Sequence, residues 1–457
     1  MSHRGRIVLI ALVAAMGGLL FGFDTGVISG ALPFLRQNWG LSDPAIEWVT
    51  TSVLIGALLG AIFSGKLSDI IGRKRMIIIN ALIFALGAVG CAAAQSLALL
   101  IVMRVIIGVA IGITSYVAPM YIAEISPAKK RGALVTLNQL MITMGILVSY
   151  ITDYCLSNDK NAASWRWMFL VGIVPALILL TGMFFLPETP RWLISRGRWA
   201  EGEKVLATVE DPDMIPATLA NIRREMAEAS QSKGRAMDVF KPWLRIPLII
   251  TVGIFFFQQF SGVNTIIYYS PIIFKMAGMV SNTQSILPAI IIGVANVLFC
   301  LLSVILLDRV GRRKLYLIGI CGMIPSLALL ALCFQLKEKL GASLPVFAVL
   351  SIVAYIAFIA ISLAPLGWLL ISEVFPTGVR GVGMSIGSLS HWGFNAIISF
   401  TFLKLVNSVG IAPTFGFYSF VCLLGLWWGY YFIPETKGKS LEQIEQHWRD
   451  GGGARDL

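Results

Sequence analysis

Twelve apolar runs succeed one another along the chain, near residues 7–35, 46–65, 76–96, 98–120, 133–154, 165–186, 246–273, 284–307, 315–335, 345–372, 382–408 and 412–432. Each is long enough to cross a hydrocarbon layer of about 30 Å as a helix. Backbone polar groups inside a bilayer must find partners within the protein, so helices are the expected form for every run. The expected fold class is therefore an all-α membrane protein with twelve transmembrane helices. Composition agrees: 13% of the 457 residues are charged, against about 25% in soluble domains. The start Ser2-His3-Arg4-Gly5-Arg6 looks like a secretory leader. The apolar run behind it is too long for a leader's core and contains Asp24, so it reads as an uncleaved first span.

Charge sorts the loops. A net charge of +12 would suggest nucleic acid as a partner for a soluble chain. Here the cations sit in short loops, where they set topology, and no nucleic-acid partner is expected. Arg73-Lys74-Arg75, Lys129-Lys130-Arg131, Arg309 with Arg312-Arg313-Lys314, and Arg380 fall on one side, with both termini and the long segment 193–244. The opposite loops, such as 36–45 and 155–164, are poor in Lys and Arg. The positive-inside rule places the basic side, and both termini, in the cytoplasm. In the segment 193–244, Leu219, Ile222 and Met226 recur at helical spacing with Arg223, Arg224 and Glu225 between the last two. That pattern predicts short amphipathic helices on the cytoplasmic surface.

Six runs precede this segment and six follow it, and the two groups repeat one another. Leu67-Ser68-Asp69-Ile70-Ile71-Gly72-Arg73-Lys74 recurs as Leu307-Asp308-Arg309-Val310-Gly311-Arg312-Arg313. Glu124, Pro127 and Arg131 recur as Glu373, Pro376 and Arg380, and Leu186-Pro187-Glu188-Thr189 as Ile433-Pro434-Glu435-Thr436. Three matches in the same order predict two parallel six-helix repeats related by an axis along the membrane normal. The expected division is an N-terminal six-helix bundle at 1–192, a cytoplasmic helical linker at 193–244, a C-terminal six-helix bundle at 245–440 and a cytoplasmic tail at 441–457. Such symmetry suits alternating access, with a site at midplane between the halves.

The repeated charges fall at cytoplasmic helix ends. Asp69, Arg73, Glu124, Arg131, Glu188 and Arg191 in the first half, with Asp308, Arg312, Glu373 and Arg380 in the second, are the expected cytoplasmic gate. Partly exposed pairs are individually weak, often below ~1 kcal/mol. As a set they can still bias a two-state equilibrium. The alternative is that they anchor helix ends and set topology.

Two charges stand out deep inside runs. Asp24 is the one charge of the first run, and a carboxylate there costs ~2.5–3.5 kcal/mol on insertion scales, so it needs a partner or a task. Arg104, in the fourth run, is the intramembrane cation that stands out, at a compatible depth. Paired, Arg104 would keep Asp24 ionised; withdrawn, it would favour protonation. That is a means of coupling proton uptake to a conformational change. A permanent structural ion pair is the alternative.

Polar side chains gather in the second half. The seventh run carries Gln258, Gln259, Ser261, Asn264, Tyr268 and Tyr269. On a straight helix Gln259 and Asn264 would lie about 140° apart. Gly262 between them offers a place for the helix to loosen, which is tolerated where it lines a cavity. Amides carry both donors and an acceptor and suit a ligand rich in hydroxyls; interhelical bonding is the plainer use of such groups. Gln139, Asn296, Trp368, His391 and Asn395 lie inside other runs. An indole can cover the apolar face of a ring while its N–H takes an oxygen.

These motifs resemble a known family. Gly65-Lys66-Leu67-Ser68-Asp69-Ile70-Ile71-Gly72-Arg73-Lys74-Arg75 resembles the loop motif of the major facilitator superfamily. Pro187-Glu188-Thr189-Pro190-Arg191-Trp192 resembles the motif after span 6 of its sugar porter family, with Thr189 where Ser is usual. Pro434-Glu435-Thr436-Lys437-Gly438 resembles the motif after span 12. The resemblance covers nearly the whole chain and is greatest to bacterial galactose, arabinose and xylose–proton symporters. It implies the major facilitator fold and monosaccharide–proton symport in a bacterial inner membrane by a monomer. It implies sugar contacts at Gln139, Gln258, Gln259, Asn264, Asn296 and Trp368, with His391 where the family usually has Asn or Gln and Ala364 in place of a common Gly. It implies proton uptake at Asp24 modulated by Arg104; passive facilitators commonly have Asn at the first position. A passive facilitator and a non-transporting sugar sensor remain as alternatives. The proton is the coupling ion, and no other cofactor is expected. No nucleophile–base set, nucleotide-binding loop or Cys/His metal cluster is evident, so neither an enzyme nor a metal site is expected.

Overall fold

The computed structural model describes residues 3–127, 131–210, 212–231, 236–376 and 378–457. The side chains of Arg131 and Asp308, two of the expected gate residues, lie outside the described residues, as do Lys129, Lys130 and the side chain of Met226. Every regular element among the described residues is a helix. The chain opens with five long ones: α1 (His3–Trp39), α2 (Asp43–Ile71), α3 (Arg73–Ala93), α4 (Leu97–Ile125) and α5 (Arg131–Leu156). The sixth span is two helices, α6 (Trp165–Val171) and α7 (Ile173–Phe185), joined at Gly172. Short helices follow: α8 (Pro190–Ser195), α9 (Trp199–Val209) and α10 (Ile215–Gln231).

The seventh span is also divided, into α11 (Arg245–Phe260) and α12 (Val263–Met276). Gly262 between them has φ +87°, a left-handed conformation that a side chain disfavours. The loosening expected at this glycine is present. Next come α13 (Asn282–Val310) and α14 (Arg312–Gln335), then α15 (Lys337–Leu340). The tenth span consists of α16 (Leu344–Ile361) and α17 (Leu363–Glu373), with Ser362 at the joint. Pro365 in the first turn of α17 has no N–H to offer, which suits a new helix start. Gly172 keeps right-handed helical dihedrals, so the sixth run remains one crossing stretch, whereas Ser362 departs from them. Continuous apolarity hid the break in the tenth run, which needs one Ser-x-x-Pro step.

The chain continues through α18 (Arg380–Val409), α19 (Ile411–Phe432) and α20 (Leu441–Arg449). Eleven helical stretches among the described residues are both long and apolar enough to cross a membrane. The remaining span, eleventh in chain order, is α18, whose 30 residues suffice in length. Ser385, Ser388, Ser390, His391 and Asn395 make it less apolar, because this helix carries part of the polar cluster described below.

Glycines set the closest helix approaches. A Cβ on Gly22 of α1 would strike the Ile142 carbonyl of α5, and one on Gly145 of α5 would meet the backbone of Leu19 and Phe23. Gly56 and Gly60 of α2 face the Val105 and Val109 backbone of α4 in the same way. In lipid, association rests on van der Waals contact, so small residues at crossings supply what hydrophobicity supplies in water. Beyond the spans, Ile194, Leu206 and Ile222 form a small core with Ile215 and Leu219 against it. The helical spacing read at Leu219 and Ile222 thus belongs to a packed helix face.

The chain separates into two compact units. The first comprises Met1–Asp24, Ile55–Ile146 and Phe169–Lys233; the second comprises Thr25–Leu54, Leu147–Met168 and Gly234–Leu457.

Candidate functional site

In the second unit, the joint between α11 and α12 gathers a set of polar groups. Gln258, Gln259, His391 and Asn395 are buried and Asn264 half-buried. The Gln258 amide donates to the Leu363 carbonyl at the α16–α17 joint at 3.0 Å. The Asn264 amide donates to the Gln259 oxygen at 2.6 Å. These two residues would stand about 140° apart on an unbroken helix; the left-handed turn at Gly262 brings them together. The Gln259 amide nitrogen lies 3.1 Å from His391 Nδ1. An amide nitrogen can only donate, so Nδ1 accepts, and the imidazole is neutral with its proton on Nε2. The ring centroid of His391 lies 5.1 Å from that of Trp368, 5.3 Å from Phe255 and 5.2 Å from Trp392. Asn395 donates to the Tyr268 hydroxyl at 3.1 Å.

The structure therefore joins Gln258, Gln259, Asn264, Trp368 and His391 in one cluster, with Asn395 and Tyr268 bonded to each other on the same helices. Asn296 is half-buried on α13 and makes no hydrogen bond to the cluster. Gln139 is half-buried on α5, in the first unit. Amides, an imidazole and an indole edge offer donors, acceptors and an apolar ring face at one place. That combination suits a neutral polyhydroxylated ring better than an ion or an apolar ligand.

In the first unit, Arg104 Nη1 lies 3.1 Å from Asp24 Oδ1. The side chains are 0% and 3% exposed respectively. The guanidinium carbon lies 5.6 Å from the centroid of Phe169. Charges removed from water attract more strongly, and removing either partner leaves the other costly. Two side chains eighty residues apart in sequence thus form the pair that depth alone suggested.

The repeated loop motifs build two matching corners, one in each unit. In the first, Arg73 Nη2 bonds Asp69 at 2.9 Å and Glu124 Oε1 at 3.2 Å. The other Glu124 oxygen accepts the Thr189 hydroxyl at 2.5 Å. Glu188 accepts the Lys74 N–H at the start of α3 at 3.1 Å and the Thr189 N–H at 2.9 Å. Burial pushes the Glu188 carboxyl above the usual carboxylate range, against the lowering effect of those two N–H groups. In the second corner, Arg312 Nη2 bonds Glu373 Oε1 at 2.9 Å and Thr436 donates to Glu373 Oε2 at 2.5 Å. Glu435 accepts the Arg312 N–H at the start of α14 at 2.9 Å. Gly72 and Gly311 have φ +105° and +96°, and a Cβ on either would strike the capping glutamate. Arg380 takes no part: its Nε donates to the Phe375 carbonyl at 3.3 Å. Arg191 stands in the first turn of α8.

Several side chains of the second unit were not singled out from the sequence. Glu47 of α2, wholly buried, accepts the Lys404 N–H of α18 at 3.0 Å. Ser29 of α1 bonds Ser270 of α12 at 3.1 Å, and Tyr150 of α5 donates to the Ile267 carbonyl of α12 at 3.1 Å. Asp153 of α5 is buried and accepts the Gly30 N–H at 3.2 Å. Glu47 and Asp153 sit at the edges of their apolar runs, where a carboxylate reads as a loop residue; their position near an edge was the available signal.

A family model described as "Sugar (and other) transporter" matches residues 10–448. The chain is 40% identical to a probable metabolite transport protein, CsbC, of Bacillus subtilis (strain 168), over 97% of this chain and 95% of that one. It is 36% identical to the galactose-proton symporter of Escherichia coli (strain K12), over 100% and 97%. Among solved structures, the proton:xylose symporter XylE bound to 6-bromo-6-deoxy-D-glucose superposes with TM-score 0.82 at 32% identity, over 98% of this chain and 100% of that one.

Proposed function

This chain belongs to the sugar transporter family of the major facilitator superfamily, and from that footing we propose that it carries a monosaccharide, hexose or pentose, together with a proton by alternating access. The observation that carries the reading is the buried Asp24–Arg104 pair in a chain that also has a cluster of amides and indole. The relatives include a galactose-proton and a xylose-proton symporter, which supports the same reading. Gln258, Gln259, Asn264, Trp368 and His391 hold the sugar, with Gln139, Asn296 and Asn395 completing the contacts. Sugar and proton enter from outside. Protonation of Asp24 releases Arg104, the halves rock, and both ligands leave inside. The two charged corners stiffen the helix ends that part in this movement. Residues 1–192 and 245–440 act as the two moving bundles, joined by 193–244 and followed by the tail at 441–457. The protein works as a monomer in a bacterial inner membrane, with both termini in the cytoplasm.

The test is uptake into proteoliposomes under an imposed pH gradient. Accumulation above the outside concentration with alkalinisation of the medium supports symport. Uptake that stops at equal concentrations overturns it in favour of passive facilitation. A panel of galactose, glucose, xylose and arabinose in the same assay identifies the sugar. Gln259→Ala removes the partner of both His391 and Asn264. It is expected to raise KM for the transported sugar about tenfold to a hundredfold, the equivalent of ~1.4–2.8 kcal/mol, read from initial rates of counterflow.

A further inference from the structure

Asp153 is a second buried carboxyl, and its surroundings differ from those of Asp24. It stands on α5 with no exposed surface. One oxygen accepts the Gly30 N–H at 3.2 Å; the other, Oδ1, has no hydrogen-bond partner among the described residues. A Cβ on Gly30 would overlap this carboxyl, so α1 presses its bare backbone onto it. Among the described residues no cation is bonded to it. On its own helix the titratable neighbour is Tyr150, whose hydroxyl donates to the Ile267 carbonyl of α12. On α1, Asp24 is engaged by Arg104, and Arg36 pairs with Asp43. On α12, Tyr268 accepts from Asn395, and Lys275 donates to Asn282.

An ionised carboxylate with one backbone hydrogen bond and no counter-charge is not sustained in such a place; it neutralises instead. A carboxylic acid fits: its carbonyl oxygen takes the Gly30 N–H and its hydroxyl occupies Oδ1. Two bonds to α12 flank the spot, Ser29 to Ser270 next to Gly30, and Tyr150 to Ile267 one turn before Asp153. Movement of α12 away from α1 and α5 would break both and admit water to the carboxyl.

We propose that Asp153 is a second proton-binding site, which holds a proton while α12 lies against α1 and α5 and releases it to water when α12 withdraws. The site deepens the transport reading given above and rests on it for the movement of α12. Its proton returns to the side from which it came, so it adds no proton to the transported stoichiometry. It makes closure of this contact consume one proton, and closure is therefore disfavoured about tenfold for each unit rise in pH.

Infrared difference spectroscopy of the full chain in liposomes tests the assignment. At about pH 7 an exposed aspartate is ionised, so a carbonyl stretch of protonated carboxylic acid marks a buried neutral one. The band is expected in the unmodified protein, shifts when the chain carries carboxyl-labelled aspartate, persists in Asp24→Asn and disappears in Asp153→Asn. Asparagine keeps an acceptor for the Gly30 N–H, so the variant retains that contact. A band that survives undiminished in Asp153→Asn, or one that titrates away at about pH 4 as an exposed carboxyl does, overturns the proposal, and the labelled unmodified chain gives the second result without any variant. Sugar exchange at equal pH on both sides then tests the link to movement. The unmodified protein is expected to slow with rising pH more steeply than Asp153→Asn, by up to about tenfold per unit, the dependence left in the variant being that of Asp24. Identical profiles in the two overturn the link. Accumulation under a pH gradient is a separate readout: its absence in the unmodified protein defeats the symport reading and leaves the infrared result standing.

Discussion

Asp24→Asn is expected to abolish concentrative uptake and to leave sugar exchange in place. At one proton per sugar, a gradient of about one pH unit supports about tenfold accumulation, since a pH unit and a tenfold concentration ratio are the same free energy. Asparagine matches aspartate in shape and can still accept from Arg104, whose guanidinium lies 3.1 Å from the Asp24 oxygen. It cannot bind a proton. The ratio of internal to external sugar should therefore fall from about tenfold to unity under that gradient, while radiolabelled exchange at equal sugar on both sides continues. Accumulation by the variant would remove Asp24 from the coupling step. Loss of both accumulation and exchange would show that the residue holds the bundle together and does no more.

Gly22→Leu is expected to cost the fold itself. The added Cβ would run into the Ile142 carbonyl and the Ile146 nitrogen of α5. A flexible side chain could swing aside, but a helix backbone cannot yield without moving α5 as a whole. Gly145 lies opposite, with its own Cβ position blocked by Leu19 and Phe23. The expected loss is about 3 kcal/mol or more, the upper end of overpacking costs, seen as a lower melting temperature in detergent or as the absence of a monodisperse peak. Gly416→Ala on α19 is the control, because nothing lies within 4 Å of its Cβ position. It should hold stability or gain ~0.5–1 kcal/mol from helix propensity.

The span pattern was legible in the sequence because bilayer crossing is a demand on length and apolarity, and both are local. The Asp24–Arg104 pair was legible for a related reason: a charge in a long apolar run needs a partner, and few candidates exist. Gly262 announced its own break. The divided tenth span was not legible, since Ser362 is an ordinary residue of membrane helices, and its effect depends on what packs beside it. The partner of Gln258 could not be read either. It is a backbone carbonyl, that of Leu363, and every residue has one. The loop charges were identified by type and spacing, yet Thr189 and Thr436, which bond Glu124 and Glu373, entered only as members of a motif. Hydroxyls are too common in sequences for their partners to be inferred.

The two matching corners also provide an internal standard. Arg73, Glu124, Thr189 and Glu188 have counterparts in Arg312, Glu373, Thr436 and Glu435, built with similar distances on similar backbone. A spectroscopic label placed beside one corner can be referenced to the same label beside the other, within the same molecule, lipid and buffer. A signal common to both then reports temperature, salt or detergent. A signal confined to one reports an event that the two halves do not share.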